Sequence, residues 1–246
     1  MEKNKLIDLK YTSKTIQQKT HQIYTSILTE SPHIHTPNFQ TITTKDLEYI
    51  FHLYNAFFFN SFFTEQYTKQ IRFQVSKRMT RSAGKTYYHQ TKKTLSISLS
   101  QPLLFQSFDT INRTININGI RCMNRLEATM RVFEHELVHA IEFIIFGSSS
   151  CTSKRFKQIA KNLFGHTEVT HQLITQREIA EKTYQLPLGS PVEFTYKNKT
   201  LQGILYRVTK RATVMVSDTT GGYKDNQGRR YAKYYVPLEF LEKCEK

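Results

Sequence analysis

The amino-acid sequence predicts an α+β fold in two parts: a mixed helical and β domain over residues 43–185 and a small all-β module over 187–246, preceded by a flexible arm of residues 1–42. Three patterns carry this. Helical periodicity runs through two long segments, period-two alternation marks two strands between them, and after Pro187, Gly189 and Pro191 the chain breaks into short strands. A length of 246 residues suits one ordinary core plus a small second module.

Residues 1–42 are polar and rich in Thr, Gln and Lys, with His33 and His35 flanked by prolines, which reads as a weakly ordered arm with surface histidines. Thr43 followed three positions on by Asp46 is a capping-box pattern, and Leu47, Ile50, Phe51, Tyr54 and Phe57 follow at helical spacing, so a helix is expected over about 44–60. The aromatic string beside it, Phe57 to Phe59 with Phe62 and Phe63, reads as core. Ile71, Phe73 and Val75 then alternate with polar neighbours, as do Leu95, Ile97 and Leu99, which predicts half-buried strands. Between them lies a polar stretch in which Gly84 suits a turn or bulge. A looser stretch follows Pro102 to Gly119.

Asn124 with Glu127 opens a long helix with a stripe of Leu126, Met130, Phe133, Leu137, Ile141 and Ile144, and Gly147 stands where a C-terminal cap belongs. A serine-rich loop over 148–153 leads to a second amphipathic helix through Phe156, Ile159, Ala160 and Leu163, stopped by Gly165. In the last quarter, Val192 to Tyr196, Gly203 to Val208, Ala212 to Val216 and Tyr231 to Val236 are short strands joined by turns, the pattern of a small closed SH3-like barrel.

Composition excludes several classes. Hydrophobic residues at 39% and aromatics at 13% are too many for a disordered chain, and no run of eighteen apolar residues can span a bilayer. Cys122, Cys151 and Cys244, odd in number and far apart, argue against a disulfide framework. Because the start, MEKNKLIDLKYTSK, lacks the apolar core of a secretory signal, an intracellular, non-secreted protein is expected. Lys and Arg outnumber Asp and Glu 35 to 20, a net charge of +15 that favours nucleic acid or an anionic surface as partner. Eight of the basic residues fall between Gln66 and Phe108, where there is no acidic one. Tyrosines 196, 206, 223, 231, 234 and 235, interleaved with arginines and lysines, extend the same signal into the C-terminal module.

The long helix carries His135-Glu136-Leu137-Val138-His139. Four-residue spacing sets both imidazoles on one face, one turn apart, where each can give a nitrogen to one zinc ion, and Glu136 projects beside them as a base for the attacking water. Two histidines leave zinc short of the three protein groups that catalytic sites usually supply. The third must come from further along the chain.

The chain resembles the SprT-like zincins, which include Spartan-type proteases that digest proteins crosslinked to DNA. LEYIFHLYNAFFFNSFF resembles the family's opening helix, RMTRSAGKTYY its entry into the sheet, ISLSQPLL the strand before the site and NRLEATMRVFEHELVHAIEF the zinc helix. The resemblance implies a zincin-like zinc metallopeptidase that acts on protein substrates near nucleic acid, with Glu136 catalytic and His135 and His139 on the metal. The family's His-Gly-x-x-Phe element would place its histidine at Thr152, counting back from Phe156, so the adjoining Cys151 is taken as the third ligand with His166 and His171 as alternatives. Residues 95–100 are expected to pair with an extended substrate. A competing expectation is a catalytically inactive nucleic-acid- or protein-binding module whose metal site has degenerated.

Overall fold

The computed structural model describes residues 6–64, 67, 69–108 and 111–244. The chain is α+β and divides into two compact units, one ending at Leu173 and one beginning at Ile174. The division therefore falls a dozen residues before the Pro187 break.

In the N-terminal unit, α1 (Ser13–Glu30) precedes α2 (Thr44–Phe58). The arm expected from composition thus contains an 18-residue helix. Its polar face kept the average low, but Ile16, Ile23 and Ile27 form one buried stripe that packs on α2. Tyr11 N–H donates to the Asn162 carbonyl at 3.0 Å and Tyr11 O–H to that of Phe58 at 2.8 Å, so the segment before α1 is tied down too. Thr43 and Asp46 form the capping box on α2, and Asp46 also accepts from Ser31 Oγ at 2.7 Å and His33 N–H at 2.8 Å. These contacts are worth about 1 kcal/mol at a cap and bind the α1–α2 connection to the helix start.

Three strands follow: β1 (Ile71–Ser76), β2 (Gly84–His89) and β3 (Thr94–Ser100). Their order is β1-β3-β2, with β1 parallel and β2 antiparallel to β3. Two readings change here. The polar stretch around Gly84 is a strand, and β3, expected to receive a substrate, is hydrogen-bonded on both edges and has none to offer. Among the described residues β1 and β2 each pair with β3 alone, so both are edges, and β2 is the edge that packs on the following long helix, Arg125–Phe146. A short helix, α3 (Gln101–Gln106), is capped by Ser100 Oγ. The looser stretch after it contains a hairpin of β4 (Ile115–Ile117) and β5 (Ile120–Cys122), turned at Asn118 and Gly119, both with positive φ, which is the chemistry of a two-residue hairpin loop.

Helix α4 (Arg125–Phe146) runs as the pattern required. Asn124 Oδ1 accepts from Glu127 N–H at 2.9 Å, and Gly147 closes the C-terminus in the left-handed region at φ 71°. It packs under β2 and β3, and α5 (Lys154–Phe164) packs against it, stopped by Gly165 at φ 73°.

The C-terminal unit begins with α6 (Gln176–Lys182) and continues as β6 (Pro191–Tyr196), β7 (Lys199–Val208), β8 (Ala212–Ser217), β9 (Tyr223–Lys224), β10 (Arg230–Val236) and β11 (Glu242–Lys243). These form one antiparallel sheet in the order β11-β6-β7-β8-β10-β9, with a bulge in β7 between Leu205 and Arg207. The expected closed barrel is not seen among the described residues. The two ends of the sheet, β9 and β11, are two-residue strands that each pair with a single neighbour, and closure needs a continuous ladder. Val192, Phe194, Leu205 and Val214 make its buried face. No described helix is long and apolar enough to cross a membrane, and the three cysteines are free.

Candidate metal centre

Helix α4 presents His135, Glu136 and His139 to a cavity of about 310 Å³ walled by β2 (Gly84, Lys85, Thr86), by the loop at Cys151, and by residues 169–171. One ligand atom from each of His135, His139 and Cys151 lies within 4.8 Å of the others, a group able to hold a metal ion. Two nitrogens and a thiolate sulfur are donors zinc accepts, and three protein groups leave a position open.

His139 Nδ1 donates to Ser149 Oγ at 2.7 Å, while the Ser149 hydroxyl donates to Glu142 Oε2 at 2.6 Å. That chain places the proton on Nδ1 and leaves the Nε2 lone pair free for a ligand. Glu142, fully buried one turn along α4, also accepts from Ser150 N–H at 3.3 Å and Arg155 Nε at 2.6 Å. One carboxylate therefore orients a ring and anchors the loop that carries Cys151. His135 Nδ1 is buried with no hydrogen-bond partner, and Phe156, fully buried, packs its ring 4.9 Å from that of His135 and 4.5 Å from that of His139. Burial pushes the His135 ring down to about 3, with neighbouring His139, His166 and His171 adding to the effect, and His139 down to about 4. Both rings are neutral at pH 7, the form that binds metal.

Glu136 is 4% exposed. Burial pushes its carboxyl up to about 7, although Thr86 opposes this by donating to Glu136 Oε2 at 2.7 Å. Gly84 lies against the same carboxylate: a Cβ there would stand 2.5 Å from Glu136 Oε1. In the sequence Gly84 looked like a turn residue, and nothing marked it as a neighbour of Glu136.

The alternatives for the third ligand separate spatially. His166, 3% exposed, has Nε2 2.8 Å from Glu134 Oε2, in a buried cluster where Tyr54 O–H and Arg131 also donate to Glu134 Oε1 at 2.8 and 2.9 Å. Burial opposes ionisation of Glu134, but Arg131, with help from His166 and Tyr54, holds its carboxyl below the usual range. His171 lines the cavity, placed there by a bridge to Ile117 and by Asn118 N–H donating to the Thr170 carbonyl at 2.7 Å, but it does not join the three-residue ligand group. Thr152 is exposed, bonded to Ser150 Oγ at 2.9 Å, and does not line the cavity.

Ser149→Ala is expected to weaken metal binding by roughly 10–100-fold, the usual cost of removing an outer-shell partner, because His139 loses its orienting acceptor. Competition titration with a chromogenic chelator reads this out, and unchanged affinity would separate Ser149 from the metal centre.

A helix bearing two histidines and a glutamate against an edge strand, with a thiol from the following loop, makes a candidate metal site beside a buried carboxylate. Residues 47–177 match the SprT-like family, and the chain belongs to it. No curated protein matches the chain.

Proposed function

We propose that the chain is a zinc-dependent metalloendopeptidase, with a zincin-like catalytic unit and a C-terminal SH3-like accessory module, acting on proteins associated with nucleic acid. The observation that carries this is the shared cavity in which His135, His139 and Cys151 can meet one ion beside the buried Glu136 carboxylate. When bound, zinc supplies Lewis-acid polarisation of the scissile carbonyl and lowers the pKa of an attacking water. Glu136 accepts a proton from that water at Oε1, since Oε2 is engaged by Thr86, and returns it to the leaving amine. A carboxyl near 7 is matched to that exchange at neutral pH. An extended substrate adds to the free edge of β2, whose Gly84, Lys85 and Thr86 border the cavity. The net charge of +15 and the acid-free stretch 66–108 support nucleic acid as the partner that brings substrates close.

Metal analysis of the purified chain, paired with cleavage of an unstructured protein, tests this reading. One tightly held zinc and cleavage lost on chelation are expected; a chain that takes up no zinc is instead an inactive binding module. Cys151→Ser should weaken zinc by more than the 10–100-fold typical of an outer-shell partner, because a ligand itself is removed. His171→Ala should retain the metal. Zinc lost from the His171 variant but kept by the Cys151 variant would transfer the third position to His171.

A further inference from the structure

The β1-β3-β2 sheet has one face packed on α4 and another turned to solvent. On that outer face Arg72 and Gln74 of β1, Ser96 and Ser98 of β3, and Lys85 and Tyr87 of β2 fall into register as two rows, Arg72–Ser96–Tyr87 and Gln74–Ser98–Lys85. Thr94 lies beside His89 in the next position. The inner residues of the same strands include the buried Ile71, Leu95, Ile97 and Leu99.

Two properties set this face apart from an ordinary solvated one. Tyr87 is 53% exposed and meets the His89 ring edge to face, centroids 4.5 Å apart at 73°, while the central strand offers only small hydroxyl side chains on this face. The charge is also of one sign. Arg72 and Lys85 stand on the face, Lys92 and Lys93 stand at the β2–β3 turn, and none of these exposed cations is ion-paired among the described residues. A face shaped only for solubility intersperses both signs. An exposed tyrosine ring flanked by cations without an ion pair among the described residues, on a floor of small side chains, matches an unpaired base and its phosphates.

We propose that this outer sheet face binds single-stranded nucleic acid, with Tyr87, steadied by the His89 ring, stacking on a base and Arg72, Lys85 and the Lys92–Lys93 turn meeting phosphates. The inference rests on nucleic acid being the partner, and it names the surface and the strandedness. Bases in a duplex are already stacked on one another and unavailable to this ring. Because β2 supplies both this face and a wall of the metal cavity, a strand held here lies behind the cleft, and proteins attached to it are presented to the β2 edge.

Fluorescence anisotropy of the full chain at low salt, with a short labelled single-stranded DNA and the same sequence as duplex, tests the proposal. The parent should prefer the single strand. Tyr87→Ala should weaken binding roughly ten-fold at an unchanged salt slope, as loss of one stacked base predicts. Arg72→Ser should lower the slope of log affinity against log salt by about 0.7, as loss of one single-strand phosphate contact predicts. Both side chains are exposed, so thermal unfolding should match the parent and show that each variant folds. Parental affinity and slope in both variants, or a parent that prefers duplex, would overturn the proposed surface and leave nucleic acid as a partner bound elsewhere. No binding at low salt overturns the surface and the partner together.

Discussion

Glu136→Gln is expected to retain zinc and the fold while losing peptide cleavage by about 10²–10⁴-fold, the contribution of a positioned general base. The side chain is outside the ligand group, so metal content should equal the parent's. Glutamine is nearly isosteric, and its carbonyl oxygen can still accept from Thr86 Oγ1, which keeps the buried position satisfied. It also avoids the burial cost that pushes the carboxyl up to about 7, so the unfolding temperature should not fall. What disappears is the ability to take a proton. Steady-state cleavage of an unstructured protein, with zinc measured on the same sample, checks both halves, and parental activity in the glutamine variant would sink the peptidase assignment.

Gly84→Ala should act on the same carboxylate from the other side. The added methyl would stand 2.5 Å from Glu136 Oε1, 2.7 Å from Cγ and 2.8 Å from Cδ, separations that real carbon atoms do not tolerate. Either the carboxylate swings away or β2 shifts from α4. A displacement of about 1 Å at a reacting group can cost on the order of 10²-fold in rate. Zinc should stay, because the three atoms nearest the added methyl all belong to Glu136, which is outside the ligand group. Gly222→Ala, where nothing lies within 4 Å of the new methyl, is the matched control and should behave as the parent. A Gly84→Ala protein with parental kcat would show that Glu136 tolerates the displacement and that the close approach is packing alone.

Helix α4 was legible from the sequence because everything that makes it is local. Asn124 and Glu127 cap it, Gly147 ends it, the apolar stripe sets its buried face, and four-residue spacing puts His135 and His139 together whatever surrounds them. The capping box of α2 and the stop of α5 at Gly165 were readable for the same reason. The N-terminal arm was misjudged because three isoleucines suffice to dock a polar helix when a partner surface exists, and the partner is α2, outside the window that composition averages over.

What the sequence by itself determined is the His135–Glu136–His139 constellation on one helix, the α+β class and the family signature, each encoded in residues a few positions apart. Only the tertiary structure decided the rest. Strand β2 carries Gly84 and Thr86 on its inner face instead of an apolar series, so its existence depends on pairing with β3, and that pairing also makes β3 internal and leaves β2 with a free edge. The family pattern favoured Cys151 as third ligand over His166 and His171, and no local pattern excluded either histidine. In the structure Glu142 ties the 148–153 loop to α4 and Glu134 holds His166 in a separate buried cluster, and the Arg155–Glu142 and His166–Glu134 contacts join residues 13 and 32 positions apart, beyond any local pattern. Ring closure of the C-terminal strands is likewise a relation between the first and last members of a sheet, and the two-residue strands β9 and β11 at its ends leave it open among the described residues.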